Sequence, residues 1–228
     1  MPAIESTQTT LVFDVNETLL DLQALQPFFN RIFGDAGVLD EWFHQVILFA
    51  QAVTLTGDYR PFGEVASAAL EMIAESRDVY LPPEAAQQLV QGMRTLPPHP
   101  EVPAALARLK AAGFRMVALT NSSPSAAEAQ LRHAGLTRYL DRIFSVESVR
   151  RYKPSPEPYQ MVATELGVPP AQLRMIAAHA WDIGGAMAVG YSAAFVARPG
   201  KSPNPLFPAP EFTGSDLTEV VDAILQAK

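Results

Sequence analysis

After residue 99 the sequence alternates between helical and strand patterns, and this alternation constrains the fold more than any other feature. Amphipathic segments end at glycine, which is typical of helix ends. The short apolar runs between them are typical of buried strands. The predicted helices cover 102–112, 124–134, 159–166 and 183–189, and the predicted strands cover 116–119, 175–178 and 193–196. Strand and helix in turn predict an α/β protein with a parallel sheet covered by helices.

The first 98 residues add one strand and a block of helices to this pattern. The apolar run from Thr10 to Phe13 ends at Asp14, as expected for a buried strand that delivers a carboxylate into a loop. From Leu20 to about Pro98, apolar residues recur at helical spacing, which predicts an all-helical insert. The proline-rich stretch 199–210 is predicted to be a loop.

Composition and charge exclude several classes of protein. The chain has 17 Lys and Arg against 24 Asp and Glu, and its scattered basic residues argue against a nucleic-acid partner. It contains no cysteine, which excludes disulfides, thiolate catalysis and Cys-ligated metal centres. No apolar run approaches the roughly 20 residues that span a bilayer. Residues 1–10 are polar and lack the basic, apolar character of a signal peptide, so we expect a soluble, cytoplasmic protein without a membrane partner.

Polar residues follow the predicted strands at the points where the strands end. In a parallel sheet these carboxyl ends lie at one edge, where ligands bind. Each residue alone has an ordinary explanation; Asp182, for example, is suited to cap a helix that begins at Ile183. Their order along the chain nevertheless predicts that separate loops converge on one site. The residues are Asp14 and Thr18, then Thr120, Asn121 and Ser122, then Lys153 and Tyr159 around a proline-rich turn, then His179 and Asp182.

Four segments resemble the ordered motifs of the haloacid dehalogenase superfamily. They read FDVNETL at 13–19, LTN at 119–121, YKP at 152–154 followed by Tyr159, and AWD at 180–182. The resemblance covers nearly the whole chain. It implies a Rossmann-like core made of residues 1–19 and 99–228, with the helical insert 20–98 in the position of that superfamily's cap domain.

Two positions decide which branch of the superfamily the chain resembles. Most members are magnesium-dependent phosphatases, with a second Asp two residues after the nucleophile and an acidic metal ligand four residues before the last Asp. This chain has Asn16 and Ala178 there, and neither supplies the charged oxygen that magnesium prefers. The AWD motif, and a Lys followed six residues later by Tyr, are similar instead to the L-2-haloacid dehalogenase branch. The resemblance therefore implies a hydrolase that needs no metal and no cofactor.

This branch implies a role for each matching residue. Asp14 would displace halide from C2 of a small 2-halocarboxylic acid, forming an ester that water hydrolyses to the 2-hydroxy acid. Lys153 would keep Asp14 ionised and Thr18 would orient it. Asp182 would activate the water. The residues expected to bind substrate are Val15, Asn16, Phe43, Thr120, Asn121, Tyr159, His179 and Trp181.

The chain departs from the family pattern at two places. Family members often have Trp-Arg in the first long cap helix, where the Arg helps to receive the halide, but here the Trp is followed by Phe43. Arg60 and His44 are the candidate substitutes. Before the last motif the family commonly shows Ser-Ser-Asn, and this chain has Ala-Ala-His, so His179 either replaces the Asn as a donor or alters the water geometry.

Three other functions remain open at the level of sequence. The same backside attack opens a strained ring amine such as azetidine-2-carboxylate, and the apolar Phe43 suits that reaction. A residual phosphatase is the second alternative, and a catalytically silent binding protein that retains Asp14 is the third. Halide release separates the first two from a dehalogenase. The apolar helical insert also predicts a homodimer.

Overall fold

The computed structural model describes residues 9–228, and its centre is a six-stranded sheet in which all neighbouring strands are parallel. The strand order is β3-β2-β1-β4-β5-β6. This confirms the predicted α/β class. The strands are β1 (Thr10–Phe13), β2 (Met116–Thr120), β3 (Arg142–Ser145), β4 (Leu173–Ala177), β5 (Ser192–Val196) and β6 (Phe212–Gly214). The prediction that the chain has no signal peptide rests on residues 1–10, and residues 1–8 lie outside the described residues.

Nine α-helices occur within residues 9–228, and the first four lie between β1 and residue 98. They form the helical insert predicted from the apolar spacing. None of the helices in the described part of the chain has the length and apolar character needed to cross a bilayer. The helices are α1 (Gln26–Phe33), α2 (Val38–Thr56), α3 (Phe62–Ser76), α4 (Ala85–Arg94), α5 (Val102–Ala111), α6 (Pro124–His133), α7 (Pro156–Leu166), α8 (Ala180–Ala188) and α9 (Leu217–Gln226).

Strand β1 lies in the middle of the sheet, and this position determines where Asp14 lies. Every residue of β1 is buried, as expected for a continuous apolar strand covered on both faces. Phe13 is in register with Ala118 of β2 and Ile176 of β4. The amide of Asp14 continues the ladder by donating to the Ile176 carbonyl at 3.0 Å. Asp14 therefore follows the central strand, between the loops that leave β2 and β4.

Two predicted helix starts are wrong, and proline and local geometry explain the difference. Helix α7 begins at Pro156, three residues before the predicted start, because proline fits the first turn of a helix, where no amide donor is needed. Helix α8 begins at Ala180, with the extended residue His179 at the N-cap position. Asp182 is therefore inside the first turn of α8 and is not its N-cap. Residues 197–211 form neither helix nor strand, which confirms the predicted loop at 199–210.

The sequence patterns did not predict β3, β6 or α9. Strands β3 and β6 are the two edge strands, and β6 is only three residues long. Edge strands are short and partly exposed, so they lack the continuous apolar run that marks a central strand. In β3 only Phe144 and Ser145 are buried.

The helical insert is attached to the core around Tyr152. The Tyr152 hydroxyl donates to the Arg60 carbonyl at 2.6 Å, and the Tyr152 amide donates to Thr54 Oγ1 at 3.0 Å. The Tyr152 ring stacks on Tyr59 with centroids 5.2 Å apart and packs against Phe62 at 6.0 Å. The insert is thus in direct contact with the residue that precedes Lys153.

Candidate active site

Lys153 lies at the point where the loops after β1 and β2, the turn before α7 and the start of α8 meet. Its Nζ donates to Asp14 Oδ1 at 2.8 Å, to Asp182 Oδ2 at 2.6 Å and to the Leu119 carbonyl at 3.0 Å. Lys153 is 1% exposed, so water cannot replace any of these partners. The three acceptors match the three protons of an ammonium group. The site is therefore built around one buried positive charge shared by two carboxylates.

The second oxygen of Asp14 is held by two other donors. Oδ2 accepts from Thr18 Oγ1 at 2.7 Å and contacts His179 Nδ1 at 3.1 Å. Thr18 Oγ1 in turn accepts from the Ala178 amide at 2.9 Å, which leaves its own proton directed at Asp14. Both oxygens of Asp14 are thus oriented before any substrate binds.

The electrostatics of the site keep Asp14 ionised. Burial alone would raise the pKa of Asp14, but the charges and hydrogen bonds of Lys153 and His179 outweigh it and hold the pKa well below its usual range. Burial would likewise lower the pKa of Lys153, and Asp14 and Asp182 together raise it. A carboxylate that stays ionised while it is partly desolvated is suited to nucleophilic attack.

Asp182 is the second carboxylate of the site and is completely buried. Burial raises its pKa; Lys153 opposes this effect, and the charge of Asp14 adds to it. Its Oδ1 accepts from Tyr159 Oη at 2.6 Å. Burial first, and then the Asp182 charge, raise the pKa of Tyr159 well above its usual value, so the phenol remains a donor. A carboxylate whose pKa is raised toward neutrality is better suited to accept a proton.

Two charged residues that the motif analysis did not assign complete the site. His179 Nε2 lies 2.7 Å from Glu17 Oε2, and Lys201 Nζ lies 3.0 Å from the same carboxylate. Burial lowers the pKa of His179, but the hydrogen bonds and charges of Asp14 and Glu17 outweigh this effect and raise the pKa to about 9. Glu17 lies inside the first motif, yet its neighbours in sequence give no sign of this role. Lys201 lies in the proline-rich loop, where no sequence pattern identifies it.

A small cavity of about 230 Å³, including the open space at its mouth, lies against Asp14. Most of the predicted substrate-binding residues line it. Val15 and Tyr159 do not: Val15 is fully buried, and Tyr159 contacts Asp182 instead. Ile47 and Phe62, which were not predicted, also line the cavity. The predicted residues on its wall are Asn16, Phe43, Thr120, Asn121, His179 and Trp181.

The side-chain oxygens of Asn16 and Asn121 already accept hydrogen bonds from other protein groups. Gln130 Nε2 donates to Asn16 Oδ1 at 3.1 Å, and Asn121 Oδ1 accepts from the Lys153 amide at 3.1 Å. These bonds hold both side chains at the cavity wall. Over residues 9–228 there is no group of three or more His, Asp or Glu side chains arranged to hold a metal ion.

Of the two candidate substitutes for the halide-binding arginine, Arg60 does not line the cavity. The Arg60 guanidinium pairs with Asp58 at 3.0 Å on the surface, where 58% of the Arg60 side chain is exposed. Arg60 has this position because its backbone carbonyl, and not its side chain, faces Tyr152. His44 is exposed and lines an outer pocket of about 680 Å³, including the open space at its mouth, that shares Phe43, Ile47, His179 and Trp181 with the inner cavity.

Gly185 allows α8 to approach the Lys153 turn closely. A Cβ at this position would lie 2.8 Å from the Pro154 carbonyl oxygen and 2.8 Å from Tyr159 Oη. We expect Gly185→Ala to lower both kcat and the melting temperature, although alanine favours a helix by about 1 kcal/mol. Gly63→Ala in α3 is the matched control, because its nearest neighbour is Val90 Cγ2 at 3.9 Å. Equal thermal stability and rates for the two variants would contradict this prediction.

The comparisons with known proteins agree with this geometry. A family model for haloacid dehalogenase-like hydrolases matches residues 8–190 of the chain. The chain belongs to this family. It is therefore a hydrolase, and its sequence is similar to those of (S)-2-haloacid dehalogenases.

Two curated relatives and one solved structure illustrate this similarity. The chain is 31% identical over 217 residues to (S)-2-haloacid dehalogenase 1 of Pseudomonas sp. strain CBS-3, which covers 94% of this chain and 96% of that protein. It is 30% identical to (S)-2-haloacid dehalogenase of Xanthobacter autotrophicus, over 82% of this chain and 74% of that protein. The structure of L-2-haloacid dehalogenase from Xanthobacter autotrophicus with chloropropionic acid covalently bound superimposes with a TM-score of 0.89 and 25% identity, covering 97% of this chain and all of that one.

Proposed function

We propose that this haloacid dehalogenase-like hydrolase displaces halide from C2 of a small 2-halocarboxylic acid through an ester of Asp14. The observation that carries the proposal is the buried Lys153 shared between Asp14 and Asp182. One carboxylate of this pair is kept ionised for attack, and the other has a raised pKa suited to accept a proton. The names of the relatives, and the covalent chloropropionic acid complex among them, support the same chemistry.

The first step uses the Asp14 oxygen that has fewer donors. Among the residues that the structure describes, Oδ1 accepts from Lys153 alone, whereas Oδ2 is held by Thr18 and His179. Oδ1 therefore retains a lone pair for backside attack on C2. The Oδ1–C2 bond forms, the carbon–halogen bond breaks, and the halide leaves with the bonding pair.

The second step hydrolyses the ester and regenerates Asp14. Asp182 takes a proton from water, and the resulting hydroxide adds to Cγ of Asp14 while the carbonyl electron pair moves onto Oδ2. Collapse of this intermediate breaks the Cγ–Oδ1 bond, and Oδ1 leaves on C2 of the 2-hydroxy acid with the proton returned by Asp182. The second proton of the water, which remains on the new oxygen of Asp14, is released to solvent, so that Asp14 is again a carboxylate. One oxygen of Asp14 thus enters the product, and one oxygen of water enters the enzyme.

We predict that activity does not require a metal ion. Lys153, Thr18 and His179 already bind the two oxygens of Asp14, and Asn16 stands where the phosphatase pattern has a carboxylate. Halide release should therefore be unchanged after exhaustive chelation. A loss of activity that magnesium restores would contradict metal independence and favour the phosphatase alternative.

The substrate is best identified by measuring halide release from a panel. The panel comprises chloroacetate, bromoacetate, fluoroacetate and the two enantiomers of 2-chloropropionate, with Asp14→Asn enzyme as the blank. Release from one enantiomer with stoichiometric 2-hydroxy acid is the expected result, and no release from any member would refute the proposal. Ring opening of azetidine-2-carboxylate is not favoured, since the relatives named above are haloacid dehalogenases.

We also propose the domain boundaries, the oligomeric state and the location of the protein. Leu20 forms an isolated antiparallel β-bridge with Pro98, and the Asp21 amide donates to the Pro97 carbonyl at 2.8 Å. These contacts support domain boundaries at 19/20 and 98/99.

A homodimer is supported by exposed apolar side chains seven residues apart on α2, Leu48 at 55% and Leu55 at 87% exposure. Light scattering tests the dimer. Cell fractionation tests the predicted cytoplasmic location.

A further inference from the structure

Both the backbone conformation of Glu17 and the burial of its charge are energetically unfavourable. Its φ of 62° lies in the left-handed region, which glycine adopts freely and residues with a Cβ adopt at a cost. Its side chain is also buried, with 8% of the residue exposed. The carboxylate lies between His179 Nε2 at 2.7 Å and Lys201 Nζ at 3.0 Å. A strained, buried and charged residue in contact with a residue of the active site indicates a use beyond folding.

We propose that Glu17 is a positioning residue for the dehalogenase reaction. It holds the His179 ring so that Nδ1–H is directed at Asp14 Oδ2, where His179 and Thr18 together stabilise the oxyanion formed during hydrolysis of the Asp14 ester. This inference rests on the proposed function, because it assumes that the ester forms.

The hydrogen-bond partners of His179 determine its protonation state. Each ring nitrogen faces a carboxylate oxygen, and an ionised carboxylate only accepts hydrogen bonds. Both nitrogens must therefore carry a proton, so the ring is an imidazolium. The pKa of about 9 that Asp14 and Glu17 produce against the effect of burial agrees with this state. Without Glu17 the ring would lose one of its two anionic partners, and its position would depend on stacking on Trp181, with centroids 4.9 Å apart, and on the contact with Asp14.

The charged groups around His179 form an alternating chain. From the loop after β1, Asp14 and Glu17 face the ring; from the loop after β5, Lys201 reaches it through Glu17; and His44 of α2 lines the same outer pocket. Asp182, in the first turn of the helix that follows His179, is directed to Lys153 instead. This row of side chains contains three negatively charged groups and three positively charged groups. Its members in order are Asp182, Lys153, Asp14, His179, Glu17 and Lys201.

The chemistry of ester hydrolysis explains why His179 acts late in the reaction. Once Oδ1 has attacked C2, the negative charge of Asp14 is lost and Oδ2 is the carbonyl oxygen of an ester. Hydroxide addition to Cγ places an electron pair on Oδ2, where the Thr18 hydroxyl and the His179 ring already lie at 2.7 and 3.1 Å. Donors fixed at the oxygen that gains charge lower the barrier of such a step.

Glu17→Gly tests this proposal because it separates folding from chemistry. Glycine adopts the left-handed backbone conformation without strain, so we expect the variant to fold. The variant nevertheless lacks the carboxylate that holds His179. We expect ester hydrolysis to slow about tenfold or more, so that an Asp14 adduct accumulates in intact-mass spectra during turnover and halide appears as a burst of one equivalent. We also expect the alkaline limb of kcat, which includes the ester-hydrolysis step, to move down by about one pH unit or more, since His179 loses its proton more easily.

Two controls make the outcome decisive. Asp78→Gly replaces an exposed left-handed residue, at φ 53°, that lies outside the four sequence motifs, and it should change neither the adduct level nor the pH profile. His179→Asn should remove the His179 limb, and Glu17→Gly added to it should have little further effect. Unchanged turnover, adduct level and pH profile in Glu17→Gly, with wild-type enzyme releasing halide, would overturn the positioning role. A wild-type enzyme that releases no halide would instead overturn the proposed function.

Discussion

Replacing Asp14 with Asn should abolish halide release, with a fall in kcat by a factor of about 10⁴ or more. An amide oxygen is a far weaker nucleophile than a carboxylate, and among residues 9–228 no other carboxylate lines the inner cavity. The fold should survive the change, because Lys153 keeps Asp182 and the Leu119 carbonyl as partners. Halide release under saturating substrate, with circular dichroism to confirm folding, measures the effect.

The matched control for this variant is Asp58→Asn. Asp58 carries the same carboxyl group on the surface, where it pairs only with the exposed Arg60, so the same change should leave the rate unaltered. A single turnover of the wild-type enzyme in heavy-oxygen water adds a direct test of the ester. The label should enter the Asp14 carboxylate and not the first product molecule. Label found only in the product would exclude the covalent route.

Replacing Lys153 with Met should lower kcat by a factor of about 100 or more. Without the ammonium group, Asp14 and Asp182 face each other as unneutralised charges in a buried site, and one of them should take up a proton near neutral pH. Asp182 is the expected acceptor, because burial already raises its pKa. The reaction then lacks its base, and Asp14 loses one of the groups that orient it.

Lys153→Arg should restore only part of the lost rate. The ammonium group serves three acceptors that converge on one atom, at 2.6 to 3.0 Å, and the planar guanidinium fork cannot direct its donors in the same way. Lys110→Met, at an exposed lysine of α5, is the control for loss of a positive charge and should be neutral. Wild-type rates in folded Lys153→Met enzyme would remove Lys153 from the mechanism.

Much of the fold could be predicted from the sequence because central parallel strands carry a strong signal. Strands β1, β2, β4 and β5 are buried apolar runs and were all predicted within two or three residues of their ends. The edge strands β3 and β6 are half-exposed or very short and gave no such run. Helix starts were less predictable, since Pro156 and Ala180 begin helices without an apolar stripe of their own.

The predicted site was incomplete for a different physical reason. Asp14, Lys153 and Asp182 follow strands or turns whose topology brings them to one edge, so their proximity could be inferred from the order of elements. The contacts of Glu17 and Lys201 depend on a left-handed backbone angle and on the path of an irregular loop. Neither leaves a periodic pattern in the sequence. The surface position of Arg60 depends in the same way on a short connection between α2 and α3.

The attachment of Tyr152 has a consequence for how such proteins can be recombined. Tyr152 precedes Lys153 in the chain, and its amide, hydroxyl and ring all contact residues of the helical insert. An insert transplanted from a relative must therefore provide a hydroxyl at position 54, a free carbonyl at position 60 and a matching ring at position 59. Grafts that lack these partners would shift the buried ammonium group, so new substrate pockets are more safely built by changing side chains within the native insert than by exchanging it whole.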